Sequence, residues 1–317
     1  MIDTLPFVES LGHGIHLIDT GFQRPRFDAS YLIVEDGRAA FVDTGTNFAV
    51  PRLMAAVQAS GLAARDLDYV IATHVHLDHA GGAGLLMQQL PQAKLVVHPR
   101  GARHLIDPSV LMAGARAVYG DDVVARDYGE VIGVPAGRVM TTEDGMTIHL
   151  AGRPLRFLDT PGHARHHHAV WDERSRGFFT GDTFGLSYRE FDGPWGAWLL
   201  PTTTPVQFDP DALRSTVQRL LEFEPDCMYL THYGRVAQVQ ALGVMFLEQL
   251  DEMVASAREL RNATDRHQAL KQALSQRMLQ RLASMGCTMP PDRVLELMAM
   301  DLELNAQGVG VWLDKPA

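Results

Sequence analysis

Thr73-His74-Val75-His76-Leu77-Asp78-His79-Ala80-Gly81-Gly82 places three imidazoles and a carboxylate within six consecutive positions. The stretch follows Tyr69 to Ala72, a short apolar run that reads as a β-strand. On extended chain, side chains two residues apart point the same way, so His74 and His76 can converge on one ion. Asp78 and His79, on the turn that follows, face a second. Gly81 and Gly82 then permit a tight turn before a helix predicted over Gly84 to Leu90. Structural histidines occur singly, so this density predicts a metal centre.

Working outward, three more segments place His or Asp just after a predicted strand: Asp159-Thr160-Pro161-Gly162-His163, Thr180-Gly181-Asp182-Thr183 and Leu230-Thr231-His232. Strand ends at one rim of a sheet are where α/β sites assemble. The sum is His74, His76 and His163 for one ion, Asp78, His79 and His232 for the other, and Asp182 between them. The only cysteines, Cys227 and Cys287, form neither a Cys-x-x-Cys pair nor a disulfide framework. Nitrogen and oxygen donors without thiolate suit zinc, manganese or iron.

The rest of the chain supplies the scaffold. β-type runs at Gly14 to Ile18, Ala29 to Val34 and Ala39 to Val42 include a hairpin signal at Asp36-Gly37. A helix is predicted over Asn47 to Ser60, a strand over Lys94 to His98, and a partly helical insertion over Met112 to Thr142. Strands return at Thr147 to Leu150, Leu155 to Asp159, Ala169 to Trp171, Gly177 to Thr180 and Cys227 to Thr231. Between the last two, Asp209 and Pro210 open a helix whose apolar stripe is Leu213, Val217, Leu220 and Leu221. From Val236 the texture is helical: Val239 to Arg261, Asp265 to Met285 and Pro291 to Asn305, with turns at Asn262 to Thr264, Gly286 and Gly308. Two domains are expected, residues 1–235 carrying the site and 236–317 packed on it.

With 317 residues, 46% hydrophobic and 21% charged, the chain can bury a large core. Its 28 basic and 38 acidic residues give a net charge of −10 without a Lys/Arg block, which argues against a nucleic-acid partner. No run approaches ~18 apolar residues, so no membrane partner is expected. Met1 to Ser10 lack a basic and then apolar leader, so the expected location is cytoplasmic.

On His74, His76, Asp78, His79, His163, Asp182 and His232, in this order and spacing, and on the early run Val42-Asp43-Thr44-Gly45, the sequence resembles the metallo-β-lactamase-fold hydrolases. The resemblance implies an α/β (α+β) fold, a four-layer αβ/βα sandwich with a dinuclear site at one rim, to which this chain adds a helical C-terminal extension. It implies two divalent ions, zinc first with iron or manganese as alternatives. One is held by His74, His76 and His163, the other by Asp78, His79 and His232, with Asp182 bridging. The set is similar to the glyoxalase II and lactonase branches, although no match to basic glutathione-binding residues is seen. Two cations near one water lower its pKa, which at a single zinc already falls from ~15.7 to about 7. A metal-bound hydroxide is then the nucleophile, and Asp78 is placed to orient it or to pass a proton.

Other residues receive expectations on the same footing. Asp43 either holds the second nitrogen of a ligand imidazole or forms a turn. Tyr188 is expected to bond an oxyanion and Arg189 a substrate carboxylate. His166, His167 and His168 follow His163, but a filled ligand set leaves them no metal. Phe191, Trp195 and Trp198 read as a lid or a packed loop. The expected function is a hydrolase of a small ester, thioester or lactone, a small-molecule enzyme whose Met-rich tail helices also suit a homodimer. Two alternatives stand beside it: a diiron protein of the same fold in redox or oxygen or nitric-oxide chemistry, which His76 opposes, and a non-catalytic effector acting through the tail.

Overall fold

The computed structural model describes residues 2–315, which form two compact units. One comprises the chain up to Thr160, His166–Gly181 and Pro225–Ala237; the other comprises Pro161–Arg165, Asp182–Glu224 and the chain from Gln238 onward. The two units interleave along the chain.

The first unit holds both sheets. Strands β1 (Val8–Ser10), β2 (Ile15–Asp19), β3 (Ala29–Glu35), β4 (Arg38–Val42), β5 (Leu67–Ala72), β6 (Lys94–Val97) and β7 (Val139–Thr141) lie side by side in that order. The first four are antiparallel and the last four parallel. Asp36 and Gly37 take φ of 42° and 76°, making the two-residue turn that sets Glu35 opposite Arg38. Helix α1 (Val50–Ala59) buries Val50, Leu53 and Val57 against Leu32, Phe41 and Val70 of the sheet. Helices α2 (Leu77–Ala80) and α3 (Ala83–Gln89) lead from β5 to β6. A further helix, α4 (Pro99–Ile106), precedes the expected insertion over Met112 to Thr142, which holds most of α5 (Ser109–Tyr119), α6 (Asp121–Asp127) and edge strand β7. Helix α4 escapes sequence reading because its cap is a histidine, His98, whose ring accepts from Arg100 N.

The second sheet runs β13 (Gly234–Val236), β12 (Cys227–Leu230), β11 (Gly177–Gly181), β10 (His168–Asp172), β9 (Arg153–Asp159), β8 (Thr147–Leu150). Every residue of β10, β11 and β12 is buried, which is why these strands show no polar alternation. Tyr31 of the first sheet meets Phe179 and Tyr229 of the second edge-on, with centroids 5.2 and 5.7 Å apart. The result is the α+β sandwich that the resemblance implies. Because β9 and β11 both run antiparallel to β10, and β12 runs parallel to β11, the carboxyl ends of β9, β11 and β12 share one edge. Behind it, the buried Arg153 guanidinium holds Asp172 through two bonds of 2.8 and 2.5 Å.

The second unit contains α7 (Pro210–Leu221), α8 (Val239–Glu259), α9 (Arg266–Ser284), α10 (Pro291–Leu297) and α11 (Ala299–Leu313). Asp209 caps α7, accepting from Ala212 N at 3.1 Å as its sequence suggests. The last predicted helix is instead two, broken at Met298, and α11 continues through Gly308, where sequence suggests a turn. A Cβ there would lie 2.5 Å from Thr204 O and closer still to Thr203 Oγ1, so this glycine serves close packing. Met253, Met278 and Met298 are core residues of the unit. Phe191 and Trp198 are fully buried and pack edge to face at 5.2 Å, which makes that segment core rather than lid. Among the described residues, no helix is long and apolar enough to cross a membrane.

Candidate metal centre

In the first unit, β5 delivers Thr73 and His74 to the rim, and the chain stays extended at His76 before turning into α2. His74 Nε2 and His76 Nδ1 stand 2.7 Å apart. Asp78 and His79 follow on α2, and His232 follows β12; Asp78 Oδ2 lies 3.3 Å from His232 Nε2 and 3.8 Å from His79 Nε2. The other nitrogens of these rings are engaged: His232 Nδ1 donates to Phe27 O at 2.9 Å and His79 Nδ1 to Asp43 Oδ2 at 2.8 Å. A proton fixed on Nδ1 leaves the Nε2 lone pair for a metal.

Asp43 does both things that its sequence allows. Its φ of 56° makes the turn after β4, and its fully buried carboxylate accepts from His79, from Thr73 N and Oγ1 at 2.8 and 2.9 Å, and from Thr231 Oγ1 at 2.7 Å. It thereby ties together His79 and the residues that precede His74 and His232.

In the second unit, His163 Nδ1 donates to Thr202 O at 3.2 Å, and His163 Nε2 lies 3.3 Å from Asp182 Oδ2. Within the first unit, one donor atom each from Asp78, His79 and His232 falls within 4.8 Å of the others, a group that could hold a metal ion. Of the other predicted ligands, His74 and His76 stand together in the first unit, and His163 and Asp182 stand together in the second. Convergent imidazole nitrogens and carboxylate oxygens without thiolate fit a divalent transition ion.

His166, His167 and His168 belong to none of these groups. His167 stacks on His74 at 4.8 Å with Nδ1 on Thr160 Oγ1 at 2.7 Å, and His166 meets His76 edge-on at 5.6 Å. His168 holds Thr142 Oγ1 at 2.9 Å; burial, then neighbouring His98, lowers its pKa to about 3. Tyr188, expected at an oxyanion, is fully buried with its hydroxyl donating to both Asp301 oxygens at 3.2 and 3.3 Å. Arg189 donates to Ser187 O and pairs with Asp192 at 3.2 Å.

Sequence reading missed several neighbours of the centre. Phe27 packs edge-on against His232 at 5.4 Å and begins a run of rings through Phe22 and Tyr128 to Tyr119, with steps of 5.8, 5.5 and 5.9 Å. Burial, with the charge of Asp78, pushes the Tyr119 phenol up to about 12 and Tyr128 in the same direction. Asp28, also fully buried, accepts from Thr20 Oγ1 at 2.6 Å; burial raises its pKa to about 7 against the pull of His232 and His79. Aromatic and acidic residues scattered over loops and helix ends carry no spacing signal that would have found them.

A family model described as the metallo-beta-lactamase superfamily matches residues 24–232, well over half of the chain. The chain belongs to the metallo-β-lactamase superfamily. Within it, the hydroxyacylglutathione hydrolase of Cupriavidus taiwanensis is 33% identical over 254 residues, covering 74% of this chain and 82% of that protein. The metallo-beta-lactamase fold-containing protein ST1585 of Sulfurisphaera tokodaii is 28% identical over 71% of this chain and 80% of its own. A crystal structure of ST1585 aligns with a TM-score of 0.62 at 27% identity, covering 76% of this chain and 86% of that one. The family protein TTHA1429 of Thermus thermophilus shares the fold with a TM-score of 0.66 at 22% identity, covering 84% and 88%. At this level the chain is a metallohydrolase of the superfamily with a His/Asp metal-binding cluster.

Proposed function

We propose that this chain is a dinuclear metal-dependent hydrolase acting on the carbonyl of a small, largely apolar ester, thioester or lactone. The observation that carries the reading is the orientation of His79, His163 and His232. Each has Nδ1 committed to a protein acceptor and Nε2 beside Asp78 or Asp182. His74, His76 and His163 would hold one divalent ion and Asp78, His79 and His232 the other, with Asp182 shared; zinc is the first choice for this donor set. Such ions, when bound, acidify a water and polarise a carbonyl.

Asp78, with a quarter of its side chain exposed, is the open carboxylate of its cluster. It takes the proton of the attacking water and returns it to the leaving group. The hydroxyl of Tyr188 is held by Asp301, so Tyr188 steadies its loop and the proton transfer falls to Asp78. The rings from Phe27 to Tyr119 suit an apolar group beside the carbonyl, and the 33% identical relative is named a hydroxyacylglutathione hydrolase.

Element-resolved metal content on protein purified without added metal or chelator tests the reading first, followed by turnover of thioesters, lactones and esters. Expected are about two zinc ions per chain and turnover abolished by His76→Ala and Asp182→Ala. Two iron ions with a visible absorption band would replace the reading by the redox alternative, and full turnover in either variant would overturn the mechanism.

A further inference from the structure

Helix α11 carries Asp301, Asn305 and Gly308 at spacings of four and three, which places them on one face. Asn305 is 1% exposed and Asp301 6%, and polar groups buried this deeply are costly unless they are hydrogen-bonded. Both are bonded, and the partners lead to the metal centre.

Asn305 Oδ1 accepts from Thr203 N at 2.8 Å, and its Nδ2 donates to Pro201 O at 3.1 Å, so one amide clamps the chain on both sides of Thr202. Gly308 lets the helix backbone lie directly against Thr203 and Thr204. The carbonyl held between these contacts, Thr202 O, is the acceptor of His163 Nδ1 at 3.2 Å. Thr204 Oγ1 donates to His163 O at 3.2 Å, so the same segment grips both the ring and the backbone of His163. One turn earlier on α11, Asp301 accepts from Tyr188, six residues beyond Asp182; the Gly185 N to Asp182 O bond of 2.9 Å closes the turn between them.

We propose that α11 is a positioning element of the metal centre: Asn305, by clamping Pro201 to Thr203, sets the hydrogen bond that orients the His163 ring, and the helical tail thereby governs metal retention. The proposal rests on His163 being a ligand, as in the functional reading above. It assigns the tail a task inside the protein, with no partner required.

The test is zinc retention by the full chain against a competing chelator, with His163→Ala defining complete loss of the His163-dependent ion. Asn305→Ala is expected to weaken retention of that same ion by up to about 10-fold, the lower end of the range for direct partners of metal ligands, because it acts through the Thr202 carbonyl. Asn305→Gln, which keeps both an acceptor and a donor on an uncharged amide, is expected to lie between wild type and Asn305→Ala and guards against failure to fold. Leu282→Ala, elsewhere in the buried core of the tail, is expected to lower the melting temperature and leave zinc retention unchanged. Wild-type retention in Asn305→Ala, or equal weakening by Leu282→Ala, overturns the proposal while His163 stands as a ligand. Wild-type retention in His163→Ala removes the ligand assignment itself, and the proposal with it.

Discussion

Asp43 and Asn305 brace the centre in different ways. Asp43 is a buried carboxylate one residue beyond a strand, and all of its bonds to His79, Thr73 and Thr231 are between 2.7 and 2.9 Å. Asn305 is a neutral amide in the last helix that never touches a ligand and acts through a peptide carbonyl, with a final bond of 3.2 Å. A charged acceptor makes hydrogen bonds roughly twice as strong as a neutral one, and a direct contact transmits position better than a relayed one. The sheet-borne part of the centre is thus stiffly held, and the part carried by Pro161–Arg165 depends on how well a helix packs.

Three experiments can break that contrast, and a fourth sets a smaller effect beside it. The largest effect is expected for Asp43→Ala, which leaves Thr73, Thr231 and His79 without their shared acceptor: about a 100-fold loss of zinc affinity in the Asp78, His79 and His232 cluster, read by chelator competition. Asn305→Ala should cost less than Asp43→Ala in the same assay; an equal or greater loss would erase the distinction drawn here. Gly308→Ala should cost about 1–3 kcal/mol of stability through overpacking against Thr203 and Thr204, measured by urea denaturation. An unchanged urea midpoint would show that α11 gives way without resistance, and so cannot position anything.

The smallest effect concerns His168, which lies outside the ligand groups. Its pKa is about 3 when folded and 6.5 ordinarily, so between those values the unfolded chain binds the extra proton. Its contribution to stability is therefore complete above about pH 6.5 and lost as pH falls toward 3, with a slope of up to about 1.4 kcal/mol per pH unit. His168→Gln should flatten the stability profile between pH 6 and 4 by up to that amount, and parallel profiles would refute the assignment.

The legible part of this protein is the part written in short-range order. Three imidazoles and a carboxylate at two-residue and turn spacing announce the metal centre, because geometry on a strand end follows from spacing alone. Asp36-Gly37 sets the hairpin and Asp209-Pro210 starts α7 for equally local reasons. Asp43 was half legible: its place after a strand suggested a partner for an imidazole, and only the fold chose His79.

What the tertiary structure alone decided are the relations between distant segments. Which nitrogen of His163 and of His232 faces a carboxylate depends on the carbonyls of Thr202 and Phe27 that engage the other, and a backbone carbonyl has no letter in the sequence. Tyr188 met Asp301, and Gly308 became a contact inside a helix, because both positions answer to segments about one hundred residues away. The sequence by itself determined which donor side chains are present and at what spacing, since donor chemistry resides in side chains. Tertiary structure decided how they are aimed, since that is settled by hydrogen bonds to backbone that leave no periodic trace.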